Sequence, residues 1–413
     1  MSKKNSIIVI ILIFILILGL LLFFYFSNNG STPKQGPTTT TEPNKSPFGG
    51  ASGDKTFSTT SNPNGTNYYD SNKKLATLRQ IYAYPNSGSI ILTDKKGNTT
   101  IKLVDRATGN IHEATPDSEE VKRVTNTLVP KILEAVWFTA GENLILRYSK
   151  ENDDTVDNYL AKIKTISSTS NEFSGELTGK VVYQKADSII TNPSGNKSFA
   201  VIKSDDSAGS YGLLSSLDST SNKQIFESVV SEWLVSWPKD NVITFTTKPS
   251  YKYPGYLYFF DINTNSFDRI IGNIFGMTTL TKKDLSSLVY SDSYRGTVRL
   301  NYFDIKSGID KNLQIETLSD KCVWGNKNTS TVYCAVPKYV TPASYPDAWY
   351  QGTVSFSDNL WKIDTEKGTT DMLFDTDESG IDVDAMDLRI SADDKYLVFT
   401  DKNDLSLWGL KME

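Results

Sequence analysis

The sequence predicts an all-β protein, a seven-bladed β-propeller preceded by one transmembrane helix and a disordered linker. Three observations predict it: an apolar run near the N-terminus, a stretch rich in Ser, Thr, Pro and Gly after it, and a turn-and-strand unit that recurs seven times. They divide the chain into a cytoplasmic N-terminus at residues 1–6, a transmembrane signal anchor at 7–26, a flexible linker at 27–72 and the propeller at 73–413.

The predicted anchor, residues 7–26, contains no charged residue. A helix of about 20 apolar residues spans the roughly 30 Å hydrocarbon layer of a bilayer. Lys3 and Lys4 precede it, and the positive-inside rule places that end in the cytoplasm. The alternative is a cleaved signal peptide, whose apolar core is shorter and ends in small residues. The bulky end of this run, FFYF, favours an uncleaved anchor, hence a single-pass protein of the cell membrane with its C-terminal domain extracytoplasmic.

The linker and the overall charge restrict the partners. Residues 27–72 hold too few apolar groups to offset the entropy of ordering, so they predict a flexible spacer. Lys and Arg number 43 against 48 Asp and Glu, a net charge of −5, and no basic stripe occurs. Proteins that bind nucleic-acid phosphates carry such a stripe, so nucleic acid is not an expected partner.

A polar turn followed by an alternating apolar strand is the strongest signal in the sequence. The seven copies are YPNSGSIILT (84–93), TAGENLILRY (139–148), NPSGNKSFAV (192–201), WPKDNVITFT (237–246), TKKDLSSLVY (281–290), GNKNTSTVYC (325–334) and SADDKYLVFT (391–400). Each is interpreted as a hairpin turn leading into the second strand of a sheet. Seven copies therefore indicate seven sheets.

A second repeat lies between these copies, an apolar strand that ends in Asp before a polar turn. Its aspartates are Asp105, Asp218, Asp261, Asp304 and Asp364. We interpret them as turn caps, since Asp side chains accept hydrogen bonds from nearby backbone amides. Two hairpins per unit give four strands, which is a propeller blade. The last unit ends after its third strand, and residues 75–82 (LATLRQIY) are predicted to supply the fourth and close the ring.

Copies such as SADDKYLVFTDKNDLSLWGL resemble the WD40-like repeats of TolB-type bacterial propellers, with their polar turn and apolar strand. The resemblance covers about residues 75–413. The Gly-His and Trp-Asp signatures of true WD40 repeats are absent, and most copies lack a Pro-Asp-Gly turn. The resemblance implies a propeller fold of the bacterial cell envelope and, as a class expectation, binding of other envelope proteins or peptides.

Cys322 and Cys334 flank a predicted hairpin turn, so they are expected opposite each other on neighbouring strands. Cross-strand Cβ atoms lie about 4.5–5.5 Å apart, which a disulfide needs to shorten only slightly. The sequence favours a disulfide in an oxidising compartment, and a pair of buried thiols is the alternative.

The acidic stretch 375–387 begins with a partial calcium-loop pattern formed by Asp375, Asp377 and Ser379. Met386 stands where the loop needs its last acidic ligand. The sequence favours a solvated acidic loop with no cofactor. Calcium binding is the alternative, and calcium is the one candidate cofactor.

Catalytic patterns are scarce. The single histidine, His112, lies in a predicted strand, which disfavours a Ser–His–Asp system. No Gly-rich phosphate loop followed by a helix occurs. A pair of catalytic carboxylates, as in a glycoside hydrolase, is kept as an alternative, because spacing in the sequence does not report distances between residues on different blades.

Two predicted loops between second and third strands, KPSYKYPGYLY (248–258) and PKYVTPASYPDAWYQG (337–352), are aromatic and stiffened by proline. They offer Tyr251, Tyr253, Tyr345, Trp349 and Tyr350 as partner-binding residues, because rigid aromatics give contact area at low entropy cost. The alternative is that these rings pack over blade ends. The sequence favours a non-enzymatic binding or scaffold module for an envelope protein or glycan; the alternative is an envelope hydrolase acting on polysaccharide or peptide through channel carboxylates.

Overall fold

The structure, a computed structural model, describes residues 77–149, 155–166, 175–205, 208–218 and 221–412. The predicted anchor at 7–26 and linker at 27–72 lie outside these residues. Within them, no helix has both the length and the apolar character needed to cross a bilayer.

The described chain forms seven four-stranded antiparallel sheets, which confirms the predicted propeller. Blade 1 contains β2 (Asn86–Thr93), β3 (Thr99–Asp105), β4 (Ile111–Ala114) and β5 (Val121–Arg123). Blade 2 contains β6 (Ile132–Trp137), β7 (Asn143–Ser149), β8 (Val156–Thr165) and β9 (Gly175–Val182). Blade 3 contains β10 (Ala186–Thr191), β11 (Lys197–Lys203), β12 (Ser210–Ser216) and β13 (Lys223–Ser228).

The next three blades follow the same plan, each with its strands in chain order. Blade 4 contains β14 (Trp233–Lys239), β15 (Val242–Thr247), β16 (Pro254–Asp261) and β17 (Ser266–Phe275). Blade 5 contains β18 (Thr278–Thr281), β19 (Ser287–Tyr294), β20 (Thr297–Asp304) and β21 (Asp310–Ile315). Blade 6 contains β22 (Cys322–Trp324), β23 (Thr331–Pro337), β24 (Asp358–Asp364) and β25 (Thr369–Phe374).

Blade 7 joins both ends of the propeller. It contains β26 (Ala385–Ile390), β27 (Tyr396–Asp401), β28 (Leu407–Lys411) and, as its fourth strand, β1 (Thr77–Tyr82). β1 runs antiparallel to β28, with Thr77 opposite Lys411 and Leu78 opposite Leu410. The predicted closure is confirmed. Two short helices, α1 (Asp347–Tyr350) and α2 (Thr376–Ser379), and a 3-10 turn (Ser319–Lys321) lie in the loops.

The blades pack face to face, so their strands are apolar on both sides. In β27, Leu397 and Phe399 join a core with Leu360 of blade 6, while Val398 joins Ile101 of blade 1. The first strands of blades 6, 7, 1, 2, 3 and 4 contact one another in turn, which places them around the central axis. Because the strands alternate in direction, loops from second to third strands and loops between blades share one face, here called the top face. The opposite face is the bottom face.

The first of the seven predicted copies is out of phase with the others. Residues 84–93 form β2, the first strand of blade 1, whereas the other six copies lead into second strands such as β7 and β27. Asp105 likewise ends a second strand, while Asp261 ends a third. The error arises because every strand of a blade follows a polar turn, so the pattern alone does not number the strands.

The predicted turn caps are confirmed where both partners are described. The carboxylate of Asp105 accepts the Thr108 amide at 2.8 Å, and that of Asp261 accepts the Asn263 amide at 2.8 Å. Asp304 accepts from Ser307 and Asp364 from Lys367 in the same way. The residues that follow Asp218 lie outside the described part of the chain.

Side chains also secure the closing strand against blade 1. The Arg79 guanidinium donates to the carbonyl oxygens of Thr115 and Pro116 at 3.0 and 2.9 Å. Asp117, in the same loop of blade 1, accepts from Lys411 at 2.6 Å and from the Tyr396 hydroxyl at 2.5 Å. The blade 1 loop therefore contacts both strands of the β1–β28 pair.

We predict that a chain beginning at residue 83 loses cooperative folding and aggregates, because β28 becomes an unpaired sheet edge. The measurement is thermal unfolding combined with light scattering. A chain beginning at residue 73 keeps β1 and serves as the control, with an unchanged Tm. A monomeric shorter chain with the full-length Tm would contradict the role given to β1.

Candidate functional site

The loop between β23 and β24, residues 338–357, is the longest of the top-face loops that the structure describes and is here called the insert. It extends from blade 6 over blade 5, where the Ala343 amide donates to the Gly296 carbonyl at 2.8 Å. Its far end reaches blade 4, where the Tyr251 amide donates to the Asp347 carboxylate at 2.7 Å. The two aromatic loops predicted on one face are thus in direct contact.

The insert has a small aromatic core of its own. Tyr345 is 0% exposed and stacks on Phe356 with ring centroids 5.6 Å apart, and Phe356 in turn stacks on Trp349, which is 4% exposed. Val298 of blade 5 and Leu318 pack against these rings. Tyr345 and Trp349 were expected to contact a partner, and the structure corrects this: both rings are interior. A segment of this length keeps one conformation only if it buries apolar surface.

Below this core lies a fully buried ion cluster, here called the lysine clamp, that the sequence did not indicate. Lys321, Asp358 and Asp384 all have side chains with 0% exposure. The Lys321 ammonium lies 2.8 Å from Asp358 and 2.5 Å from Asp384, and it also donates to the Ala385 carbonyl at 2.8 Å. Burial raises the pKa of Asp358 to about 6, the positive charge of Lys321 lowers it, and the negative charge of Asp384 raises it again.

Asp384 connects the lysine clamp to the insert. Its carboxylate accepts hydrogen bonds from the Trp349 indole at 2.9 Å, the Ser355 hydroxyl at 3.1 Å and the Phe356 amide at 3.0 Å. Lys321 also lies 5.1 Å from the Trp349 ring centroid, within cation–π range. Lys321 and Asp358 belong to blade 6 and Asp384 to the loop before β26, and the insert is hydrogen-bonded to Asp384.

Cys322 follows Lys321 directly and forms a disulfide with Cys334, with Cα atoms 4.1 Å apart. The bond joins β22, which has three residues, to β23, the strand that leads into the insert. The disulfide therefore fixes β22 to β23, and the lysine clamp fixes the turn that precedes β22 to Asp358 and Asp384.

The remaining predicted binding residues reach the surface. Tyr251 is 38% exposed, Tyr253 is 70% exposed and Tyr350 is 40% exposed. Sequence reasoning missed Tyr339, 82% exposed within the insert, and Tyr84, 67% exposed between blades 7 and 1. Tyr339 is in the aromatic loop already singled out, so the local composition could have identified it.

Tyr350 also forms a polar pair at the mouth of the central channel. Its hydroxyl donates to the carboxylate of Asp320, which precedes the innermost strand of blade 6. Burial raises the pKa of Asp320 to about 6, the bond from Tyr350 opposes this, and the negative charge of Asp387 on blade 7 adds to it. The channel mouth therefore holds a carboxyl group that changes charge near neutral pH.

The calcium candidates have other roles. Asp375 caps α2 by accepting the Asp377 amide at 2.9 Å, Asp377 pairs with Lys338 at 2.8 Å, and the Ser379 hydroxyl donates to the Asp375 carbonyl at 3.1 Å. In the described residues, no three His, Cys, Asp or Glu side chains converge as metal ligands would. The half-motif is corrected to a capped helical turn, because the carboxylate of the aspartate that starts the pattern accepts the Asp377 amide and caps α2.

His112 lies on β4 with its ring centroid 5.3 Å from that of Tyr82 on the closing strand. Burial lowers its pKa, and the nearby Asp105 opposes this. Tyr82 itself donates to Asp105 at 2.8 Å. The histidine thus belongs to the packing between blades 7 and 1.

Fold and site together define the class of this molecule: a ring-closed, seven-bladed β-propeller whose top face carries an aromatic insert. No family model matches the chain, and no curated protein matches it. Solved structures do match, among them an oligogalacturonate lyase from Vibrio parahaemolyticus with 10% identity, 84% of this chain and 96% of the lyase covered, and a TM-score of 0.53.

Two further propellers show the range of the matches. The Dos1 propeller has 10% identity, covers 81% of this chain and 94% of its own, and has a TM-score of 0.50. TolB from Acinetobacter baumannii has 14% identity, covers 68% of this chain and 62% of its own, and has a TM-score of 0.42. At such identities the likeness concerns the fold alone.

We predict that Lys321→Met lowers the free energy of unfolding by about 3–5 kcal/mol, because it leaves two buried carboxylates without their cation. Chemical denaturation measures this. Lys367→Met removes an exposed ion pair with Asp364 on the same blade and is the control, with a change below about 1 kcal/mol. Equal effects of the two substitutions would contradict the clamp.

We predict that the free energy of unfolding of the Asp320→Asn variant increases relative to that of the wild type as pH rises from about 4 to about 7. The folded pKa, about 6, lies above the ordinary 3.8, so the folded state binds this proton more tightly than the unfolded state. Asp320 therefore lowers stability as pH rises through this window, by about 1–3 kcal/mol, and asparagine does not.

Denaturant unfolding at a series of pH values measures this difference. Asp268→Asn, on the exposed outer strand of blade 4, is the control. A stability difference between Asp320→Asn and wild type that stays constant from pH 4 to pH 7 would rule out the raised pKa.

Proposed function

We propose that this protein is a binding module of the cell envelope that recognises a protein or glycan through the top face of its propeller. The single observation that carries this proposal is the distribution of exposed apolar side chains. Of the 15 large hydrophobic side chains that are exposed in the described residues, 12 lie in top-face loops or within two residues of them. These twelve are Tyr84, Leu128, Leu133, Val181, Val229, Leu234, Tyr251, Tyr253, Phe275, Tyr294, Tyr339 and Tyr350.

Exposed hydrophobic residues scattered singly over a surface need no explanation. Here their concentration at one face needs an explanation, because among the described residues only Phe267, Ile309 and Met372 are exposed away from the top-face loops. Six of the twelve are tyrosines, which supply a large contact area with few rotatable bonds and a polar hydroxyl. This composition is typical of protein and carbohydrate recognition.

The support beneath these tyrosines favours recognition without large rearrangement. The insert is held by its aromatic core, by Asp384 and by the Asp347 contact to blade 4. A preformed surface avoids the entropy cost of ordering a loop on binding. Thr77, where the described chain begins, lies at the bottom end of β1, on the face opposite to the tyrosines.

An envelope hydrolase acting on polysaccharide or peptide is the second candidate, and Asp320 is the observation that favours it. A carboxyl group with a pKa of about 6 is suited to general acid catalysis near neutral pH, and Asp387 adds a second carboxylate close enough to raise that pKa. In such an enzyme Asp320→Asn abolishes turnover, whereas in a binding module it leaves capture by the tyrosines intact.

We predict that the double substitution Tyr253→Ser and Tyr339→Ser weakens partner binding by at least about tenfold and leaves Tm unchanged, because both rings are mostly in solvent. Affinity capture from envelope extracts and a glycan array are the measurements, and they separate a protein partner from a glycan. Ile309→Ser, which also replaces an exposed apolar side chain with serine but on the bottom face, is the control. Unchanged capture by the double variant would overturn the proposal.

A further inference from the structure

A pocket of about 360 Å³ opens on the top face where blades 7, 1 and 2 meet, and it is separate from the insert. We call it the channel-mouth pocket. Its wall includes Asn86 and Gly88 of β2, Glu134 of β6, and Asp387 of β26, with Arg106 and Arg147 beside them. The volume is at the small end of the range for ligand pockets, which fits a compact ligand or one end of a longer one.

Gly88 shapes the floor of this pocket. A Cβ atom at this position would lie 2.4 Å from the Ala135 carbonyl oxygen, so the backbones of β2 and β6 approach each other as only glycine allows. The Gly88 carbonyl accepts the Trp137 indole at 3.3 Å, and the Ser87 hydroxyl donates to the Ile132 carbonyl at 3.1 Å. These contacts hold the wall between blades 1 and 2 in place.

Arginine side chains dominate the polar lining. The Arg106 side chain makes one hydrogen bond, from Nη1 to the Leu133 carbonyl at 3.2 Å, and the other N–H groups of its guanidinium have no acceptor among the described residues. Arg147 pairs through Nη1 with Glu134 at 2.6 Å, and through Nη2 it donates to the Ala186 and Asp187 carbonyls. Its Nε is buried and has no hydrogen-bond partner in the described part of the chain.

A third arginine, Arg389, lies on β26 one cross-strand pair further from the top face than the pocket lining. Met386 and Thr400, a cross-strand pair, line the pocket, and Arg389 and Val398 are the next pair on the same face. Two residues along β27 correspond to about 7 Å, in the direction away from the top face. The Nε of Arg389 is also buried and has no hydrogen-bond partner among the described residues.

The charges around the pocket favour an anion. Glu134 is paired with Arg147, which leaves Asp387, exposed at the rim, as the one carboxylate of the pocket lining without an ion pair among the described residues. Arg106 in the lining and Arg389 on the strand below it are the opposing positive charges. Guanidinium groups bind carboxylates and phosphates through paired N–H donors. Buried N–H groups without an acceptor are costly, and a bound anion would satisfy them.

We propose that the channel-mouth pocket binds a small ligand through a carboxylate or phosphate group, which Arg106 and Arg147 contact at the rim and Arg389 contacts from below. The two anions share this recognition chemistry. The site is independent of the tyrosines of the proposed function, so it is able to hold a small molecule or the anionic end of a larger partner.

The test uses glutarate and inorganic phosphate as probes and neutral glutaramide as the control ligand, with thermal unfolding and isothermal titration calorimetry on the full chain. We expect glutarate, phosphate or both to raise the Tm of the wild type, and glutaramide not to. Response to glutarate alone assigns a carboxylate site, and response to phosphate alone assigns a phosphate site. No response to either anion overturns the proposal.

Arg389→Met keeps the side-chain volume and removes the charge. It is expected to weaken anion binding by about tenfold or more, without lowering the Tm measured in the absence of probe. Arg269→Met, on the exposed outer strand of blade 4, is the matched control and keeps full binding. Anion binding unchanged in Arg389→Met overturns the assignment of that residue and of the site.

If Arg389→Met unfolds, Arg106→Met at the rim takes its place, since the Arg106 side chain donates one hydrogen bond, to the Leu133 carbonyl at the surface. Unchanged anion binding by a folded Arg106→Met then overturns the site. The Tyr253→Ser and Tyr339→Ser variant is expected to retain anion binding in full, so failure of the macromolecular binding proposal and failure of this one are distinguishable.

Discussion

Pairing of β1 with β28 is the constraint on which the rest of the structure depends. The last sheet of the ring obtains its fourth strand from the start of the described chain, and this pairing joins the two ends of the propeller. Without it, β28 presents unpaired backbone groups at a sheet edge. The contacts of Arg79 and Asp117 with blade 1 lie at this same junction. The channel-mouth pocket also lies between blades 7, 1 and 2, so it exists only in the closed ring.

A second constraint acts on the top face. A buried lysine between two buried aspartates stabilises a fold only when all charges remain paired, because each alone would be strongly unfavourable in the interior. Here one of the aspartates, Asp384, also accepts hydrogen bonds from Trp349 and the Phe356 amide. The position of the insert is therefore coupled to the packing of blades 6 and 7. The exposed tyrosines depend on this coupling, because Tyr339 and Tyr350 belong to the insert.

Much of the fold could be predicted from the sequence, because a propeller repeats one local rule seven times. The blade number, the closing strand and four turn-capping aspartates follow from alternation and turn chemistry. The phase of the first copy could not be read in this way, since 84–93 and the true second strand Thr99–Asp105 both follow polar turns. Strand numbering within a blade depends on pairing, which a local pattern does not contain.

The site was less predictable for a physical reason. Aromatic composition identified the insert, but the depth of each ring depends on contacts between blades, so Trp349 and Tyr350 are neighbours in sequence with opposite exposure. Lys321, Asp358 and Asp384 are far apart in the chain, and nothing local marks them as a cluster. The same holds for Arg106, Arg147 and Arg389, which the ring brings to one place.

The central claim is that partners meet the top face. The most direct measurement is photo-crosslinking in the cells that produce the protein, with a photoreactive amino acid at position 253, 339 or 309. The account predicts crosslinked adducts from positions 253 and 339 and none from position 309 on the bottom face. Adducts from position 309 alone would contradict it.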